Sequence, residues 1–190
     1  MIYEVEQKYA VDDLPQLENR IAALHSGEEH SIEQVDLYFA HPQKDYAQTD
    51  EALRIRRVGE DNFVTYKGPK IDTTTKTRRE IEMPLPGGDS GFQEFRALLE
   101  ALGFRPVREV RKLRRQLELP WQDRHIHLAI DQVASIGCFV ELELVVEAGE
   151  IEGAKESISA LASHLQLGLA ERRSYLEMLI AAEAASRLQE

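Results

Sequence analysis

The chain has 190 residues, a mass of 21.7 kDa and 43% hydrophobic residues, which suffices for one packed domain and excludes a disordered tail. Its 23 Lys and Arg against 34 Asp and Glu give a net charge of −11, which argues against nucleic acid or an anionic membrane as a partner. A lone cysteine, Cys138, excludes an intrachain disulfide, and no apolar run approaches membrane-spanning length, so we expect a cytoplasmic protein.

Most of the sequence alternates apolar and polar residues with a period of two, which is typical of β-strands. In chain order the predicted strands cover residues 2–10, 31–39, 52–58, 63–69, 76–83, 107–119, 125–131 and 139–145. Turn residues at 59–62 and 134–137 separate two pairs of them. Short connections between neighbouring strands favour antiparallel pairing.

Helices are predicted where apolar residues recur every three or four positions. Asp12 or Asp13 can cap a first helix that ends near Gly27, and Asp89 or Ser90 can cap a second that ends at Gly103. Two more are predicted over about 153–166 and 171–187, and we expect this C-terminal part to pack on the sheet. The sequence therefore predicts a single α+β domain over residues 1–190.

Charged residues share one face in strand after strand, while the opposite face is apolar. They are Glu4, Glu6, Lys8, Arg54, Arg56, Lys67, Arg78, Glu80, Glu82, Lys112, Arg114, Asp131, Glu141 and Glu143. If eight strands close into a barrel with the helices outside, these charges line its interior. A divalent cation then balances the carboxylates most simply, and a triphosphate balances the cations. The alternative is a set of ion pairs on a solvated outer face.

Charge is also unevenly distributed along the chain. Residues 54–124 contain 16 Lys and Arg against 11 Asp and Glu, whereas the rest of the chain contains 7 against 23. A basic middle inside an acidic chain favours a small polyanion over a polymer, because a polymer needs basic charge spread over an outer face.

Ordered sequence blocks carry a family resemblance. Glu4-Val5-Glu6-Gln7-Lys8 matches an ExExK signature, and further blocks follow it in order: residues 35–39, 51–57, 65–70, 77–82, 110–114, 130–133, 137–143 and 173–176. Together they resemble the CYTH superfamily, also called triphosphate tunnel metalloenzymes, and within it the class IV adenylate cyclase branch.

This resemblance implies an eight-stranded antiparallel β-barrel, or tunnel, that binds Mg²⁺ or Mn²⁺ and a small-molecule triphosphate. The implied metal ligands are Glu4, Glu6, Glu141, Glu143 and Asp131, the last with an alternative role as partner of a cation. The implied triphosphate-binding cations are Lys8, Arg54, Arg56, Lys67, Arg78, Lys112 and Arg114. Among these cations, Lys8, Arg56 and Lys112 are expected to act in catalysis.

The resemblance also implies an activity, conversion of ATP to cyclic AMP and pyrophosphate. Some cyclases of this branch carry a His-Phe pair ahead of ExExK that these 190 residues lack, so hydrolysis of inorganic tripolyphosphate or thiamine triphosphate stays open. A non-catalytic module that binds polyphosphate or nucleotide is the second alternative. Analogy leaves a homodimer open, and neither nucleic acid nor membrane is expected as a partner.

Overall fold

Eight strands form one antiparallel sheet in the computed structural model, which describes residues 2–24, 29–69 and 77–187. The strands are β1 (Ile2–Ala10), β2 (His30–Ala40), β3 (Ala52–Val58), β4 (Asp61–Lys67), β5 (Glu80–Leu85), β6 (Arg105–Trp121), β7 (Arg124–Val133) and β8 (Gly137–Glu147). Their order across the sheet is β1-β8-β7-β6-β2-β3-β4-β5. Each predicted strand is present: β1 and β3 have the predicted bounds, and the other strands differ from the prediction by a few residues at their ends.

The helices lie between and after the strands. They are α1 (Leu14–Ala22), α2 (Tyr46–Thr49), α3 (Gly88–Ala101), α4 (Ile151–His164) and α5 (Tyr175–Arg187), with a 3₁₀ turn at Ala148–Glu150. The single turn α2 was not predicted, because four residues are too short for a helical period. No helix within the described ranges is long and apolar enough to cross a bilayer.

The sheet curls until its two outer strands approach each other. Glu4 on β1 and Arg78, just before β5, exchange two backbone hydrogen bonds, with N–O distances of 3.4 and 3.3 Å. This short bridge, which we call the seam, joins the edges of the curled half-barrel. The eight-stranded antiparallel architecture with helices around it is therefore confirmed.

Three apolar clusters hold this arrangement together. Helices α1 and α4 pack on the outer face of β1, β6, β7 and β8, and α3 packs on the outer face of β2, β3 and β4. The third cluster lies inside the curl at one end, where α5 packs Tyr175 and Leu179 against Val110, Val133 and Phe139. Helix α5 thus covers one end of the interior.

Local details correct some sequence-based expectations. Asp13 caps α1 as predicted, with its carboxylate accepting from the Gln16 amide at 3.0 Å. Helix α3 begins instead after Gly87, which leaves Asp89 inside its first turn and gives no side-chain cap. One amide of its first turn is satisfied by the preceding hairpin, because the Gly88 amide donates to the Glu60 carbonyl.

The remaining differences concern turns and ends. The β3–β4 turn is only Gly59–Glu60, with Gly59 at a φ of +59° that suits glycine, so Asp61 and Asn62 belong to β4. Helix α5 begins at Tyr175 rather than at residue 171. The predicted helix end near Gly27 and the start of the predicted fifth strand, at residue 76, lie outside the described residues.

Candidate functional site

The charged residues of alternate strand positions line a cavity inside the curl, with a volume of about 510 Å³. Every predicted cation and the four predicted glutamate ligands contribute to its wall: Glu4, Glu6, Lys8, Arg54, Arg56, Lys67, Arg78, Lys112, Arg114, Glu141 and Glu143. Asp131 lies directly behind them and is fully buried. The alternative of ion pairs on a solvated outer face is therefore wrong for this set.

Sheet order separates the charges into two walls. Because β1 and β8 are neighbours, Glu4 and Glu6 lie beside Glu141 and Glu143, and Glu6 is directly opposite Glu143 in the register. We call these four glutamates the acidic wall. The strands β3 and β6, which flank β2, carry Arg54, Arg56, Lys112 and Arg114, and we call these four the basic wall.

Two buried aspartates organise the basic wall. Asp36 on β2 accepts two hydrogen bonds from Arg56, from Nε at 2.7 Å and Nη2 at 2.8 Å, and one from Arg54 Nη1 at 3.1 Å. Burial by itself raises the pKa of Asp36, but the charges of Arg54 and Arg56 outweigh burial and hold it below the ordinary value. Asp36 therefore stays ionised and fixes both guanidinium groups.

Asp131 on β7 does the same for the other two cations. It accepts from Lys112 Nζ at 3.0 Å and from Arg114 Nε and Nη2 at 2.7 and 2.6 Å. The Tyr175 hydroxyl donates to the same carboxylate at 2.8 Å. These contacts favour the alternative role given to Asp131, that of a partner for cations.

Within the acidic wall, Glu143 lies among other carboxylates. Burial and the neighbouring Glu4 and Glu6 raise the pKa of Glu143 to about 8. Burial also raises the pKa of Glu4, despite an ion pair with Lys67 Nζ at 3.1 Å. A bound cation would relieve this repulsion, so the carboxylates suit a hard divalent ion by charge and by ligand type.

The carboxylates are not already arranged as a closed metal site. Within the described ranges, no three His, Cys, Asp or Glu side chains are placed so that they could hold a metal ion as they stand. Glu141 is bound by Arg114, and Glu4 is bound by Lys67. The metal role of these residues remains a prediction.

The β5 side of the cavity adds mixed charges. Lys67 Nζ lies 2.5 Å from Glu80 Oε2, and Arg54 Nη2 lies 4.0 Å from Glu80 Oε1. Burial by itself raises the pKa of Glu80, but Lys67, a hydrogen bond with Glu4 and the charge of Arg54 together lower it to about 2. Glu82 accepts a hydrogen bond from Thr65 Oγ1 at 2.8 Å. Glu80 therefore serves as a counter-ion for the cations around it.

Comparison with known proteins decides the family. The model of the CYTH domain matches residues 3–175, which is nearly the whole chain. The chain belongs to the CYTH family. The family resemblance inferred from the ordered sequence blocks is thereby confirmed.

Relatives of this CYTH chain are similar along their full length. A Methanocaldococcus jannaschii protein named "Putative adenylate cyclase MJ0240" is 35% identical over 178 residues, which cover 92% of this chain and 97% of the relative. The structure of PH1819 from Pyrococcus horikoshii is also 35% identical, with a TM-score of 0.81, and covers 94% of this chain and 98% of its own.

A third similar protein is a conserved hypothetical protein of Pyrococcus furiosus, with 28% identity and a TM-score of 0.75, which covers 92% of this chain and 98% of its own. The fold of this chain is therefore shared with these two solved structures.

The sequence analysis did not predict Asp36 as a residue of this CYTH site. A signal for it existed, because Asp36 has the inward parity of its strand and lies within one of the quoted blocks, residues 35–39. Its role depends on the pairing of β2 with β3, which places it opposite Arg56. Sequence alternation does not reveal that pairing.

Proposed function

We propose that this CYTH protein is a divalent-metal-dependent enzyme that converts ATP to cyclic AMP and pyrophosphate inside its curled sheet. The observation that carries the proposal is that the acidic wall and the basic wall line one and the same cavity. The cavity volume of about 510 Å³ lies in the usual range for small-molecule sites. Neither wall suits an apolar or a neutral ligand.

The basic wall supplies what a triphosphate needs. Four cations from β3 and β6 are held in fixed orientations by Asp36 and Asp131, so they need little reorganisation when charge develops on phosphate oxygens. In the cyclase reaction the ribose 3′-hydroxyl attacks the α-phosphorus and pyrophosphate departs. The basic wall, with Lys8, Lys67 and Arg78, would hold the departing phosphates and stabilise their charge.

The acidic wall would hold Mg²⁺ or Mn²⁺ through Glu4, Glu6, Glu141 and Glu143. When bound, such an ion lowers the pKa of the attacking hydroxyl and neutralises phosphate charge. The carboxylates of this wall orient and charge-balance that ion. The raised pKa of Glu143 supports this role, because it reports carboxylates crowded without enough counter-charge.

Apolar side chains at the mouth of the cavity favour a nucleotide over an inorganic chain. Val107 and Ile180 line the mouth and remain 47% and 46% exposed, beside Tyr46 and Leu176. A nucleoside can cover such surface, whereas tripolyphosphate offers only charge. This mouth supports ATP as the substrate rather than an inorganic triphosphate.

Product analysis tests the proposal. The protein is incubated with ATP, tripolyphosphate or thiamine triphosphate and with Mg²⁺ or Mn²⁺, and the products are separated by chromatography. We expect cyclic AMP and pyrophosphate from ATP, with metal-dependent turnover lost in Glu6→Gln and Glu143→Gln. The matched control is Glu156→Gln, an exposed position on α4, which should retain wild-type rates.

Three outcomes contradict the proposal. Release of orthophosphate without cyclic AMP would assign the same site to a triphosphatase. Tight binding without turnover would assign it to a non-catalytic module. Wild-type activity in both glutamate variants would remove the acidic wall from the mechanism.

A further inference from the structure

The segment that leads into α5 forms backbone hydrogen bonds with the edge of β1 that does not pair with β8. Tyr9 and Ala170 form an isolated antiparallel bridge, and the Glu171 amide donates to the Lys8 carbonyl at 2.6 Å. The Lys8 side chain then donates from Nζ to the Arg173 carbonyl at 2.5 Å. These contacts direct the chain so that α5 begins with Tyr175 at the end of the cavity.

The Tyr175 ring lies against two lysine ammonium groups of the cavity. Its centroid is 3.9 Å from Lys8 Nζ and 5.1 Å from Lys112 Nζ. Both lysines are almost fully buried, at 1% and 5% exposure, and Tyr175 is 6% exposed. An ammonium group over an aromatic face is attracted by the ring quadrupole, most strongly where water is excluded.

The hydroxyl of the same tyrosine reaches the anchor of the basic wall. It donates to Asp131 Oδ2 at 2.8 Å, and that carboxylate also binds Lys112 and Arg114. One side chain from α5 therefore contacts Lys8 and Lys112 directly, and Arg114 through Asp131. Burial and the charge of Arg114 lower the pKa of Lys112 to about 8, so its cationic form needs the electrostatic support around it.

We propose that Tyr175 is a positioning residue that holds the Lys8 and Lys112 ammonium groups, and the Asp131 carboxylate, in the arrangement that receives a triphosphate. The inference rests on the proposed function, since it concerns the same cavity. It assigns α5 a part in substrate binding, because the helix positions two of the cations that receive the substrate. The helix also covers one end of the interior of the sheet. The ring supplies the main effect and the hydroxyl a smaller one.

The experiment compares Tyr175→Leu, which keeps apolar volume, with Tyr175→Phe, which keeps the ring. The Kd of tripolyphosphate is measured by calorimetry without metal, and the KM and kcat for ATP are measured with metal. We expect Tyr175→Leu to weaken binding and to raise KM by about tenfold, with a smaller change in kcat, while Tyr175→Phe stays within about threefold of wild type.

The control for packing is Leu179→Ala. Leu179 lies on the same helix and in the same apolar cluster, but it does not line the cavity. Its loss should lower the melting temperature while leaving the Kd of tripolyphosphate unchanged. A Kd in Leu179→Ala as weak as that of Tyr175→Leu would show that packing of α5 matters and would overturn the specific role of the ring.

A measurement on the unsubstituted protein covers the case in which Tyr175→Leu does not fold. Stacking on Tyr175 should shift the NMR signals of the Lys8 ε-methylene protons upfield through the ring current, and unshifted signals would overturn the inference. Tight tripolyphosphate binding by folded Tyr175→Leu would overturn it as well. If the wild type binds no triphosphate, the proposed function and this inference are both overturned. If the wild type makes cyclic AMP and Tyr175→Leu has the same Kd and KM as the wild type, only the inference is overturned.

Discussion

At the scale of single residues, the buried carboxylates around the cavity have two different surroundings. Asp36 and Asp131 each bind two cations at hydrogen-bonding distance, whereas Glu143 faces other carboxylates. A carboxylate between two guanidinium groups loses its proton readily, and one among carboxylates keeps it. The same side-chain chemistry therefore yields a fixed anion at Asp36 and a poorly compensated acid at Glu143.

Replacement of Asp36 tests this picture through the pH dependence of stability. Because the folded chain holds the pKa of Asp36 below its ordinary value of 3.8, the unfolded chain binds more protons there, and this stabilisation is lost as pH falls. We expect Asp36→Asn to cost about 3 kcal/mol near pH 7, with the difference from wild type shrinking below roughly pH 5. Urea unfolding followed by circular dichroism measures it.

The control for that series is Asp123→Asn, an exposed position in the turn between β6 and β7. Its free energy of unfolding should follow that of wild type at every pH. A cost in Asp36→Asn that does not change with pH would mean that shape rather than charge explains the loss.

At the scale of elements, the start of α3 lies very close to the backbone that links it to β5. It packs Phe92 and Leu99 on the apolar face of β2, β3 and β4. Near its start, a Cβ atom at Gly91 would lie 2.0 Å from the Pro86 carbonyl oxygen. Only glycine fits this position without displacing the backbone that links β5 to α3.

Gly91→Ala should therefore destabilise the fold. We expect a loss of roughly 1–3 kcal/mol in the free energy of unfolding, typical of overpacked sites. The matched change is Gly149→Ala, where an added Cβ meets nothing within 4 Å and should be close to neutral. Thermal and urea unfolding of both variants give the comparison, and equal stabilities would refute the close approach.

At the scale of the whole molecule, the seam joins the two edges of the curled sheet weakly. Among the described residues, Glu4 and Arg78 supply two backbone hydrogen bonds there, both longer than 3.2 Å. Cations lie on either side of the seam, with Lys8 on β1 and Lys67 and Arg78 on the other side. A bound phosphate chain that contacts both sides would hold the edges together.

Hydrogen exchange followed by NMR tests this coupling between ligand and seam. If tripolyphosphate binds only the closed seam, the amides of Glu4 and Arg78 should exchange about tenfold more slowly at a ligand concentration ten times Kd. The Ser186 amide, near the exposed end of α5, serves as the reference and should change little, because it exchanges by local fraying of the helix end. Equal exchange with and without ligand at the seam would place the phosphate chain elsewhere.

Much of this molecule was determined by local sequence pattern. Alternation with a period of two gave all eight strands and the inward parity of Glu4, Glu6, Arg54, Arg56 and Lys112, because side-chain direction in a strand depends only on neighbouring residues. The ordered blocks added the family and, with it, the expected ligands. The starts of α3 and α5 were predicted less accurately, because the start of a helix also depends on contacts made by the preceding turn.

Tertiary structure alone decided how those charges meet. The acidic wall exists because β1 pairs with β8, more than 130 residues away, and Asp36 reaches Arg56 only through the β2–β3 register. Tyr175 meets Asp131 across 44 residues of chain. Pairing and helix docking depend on the total apolar area buried and on long-range contacts, and no local period in the sequence encodes either of them.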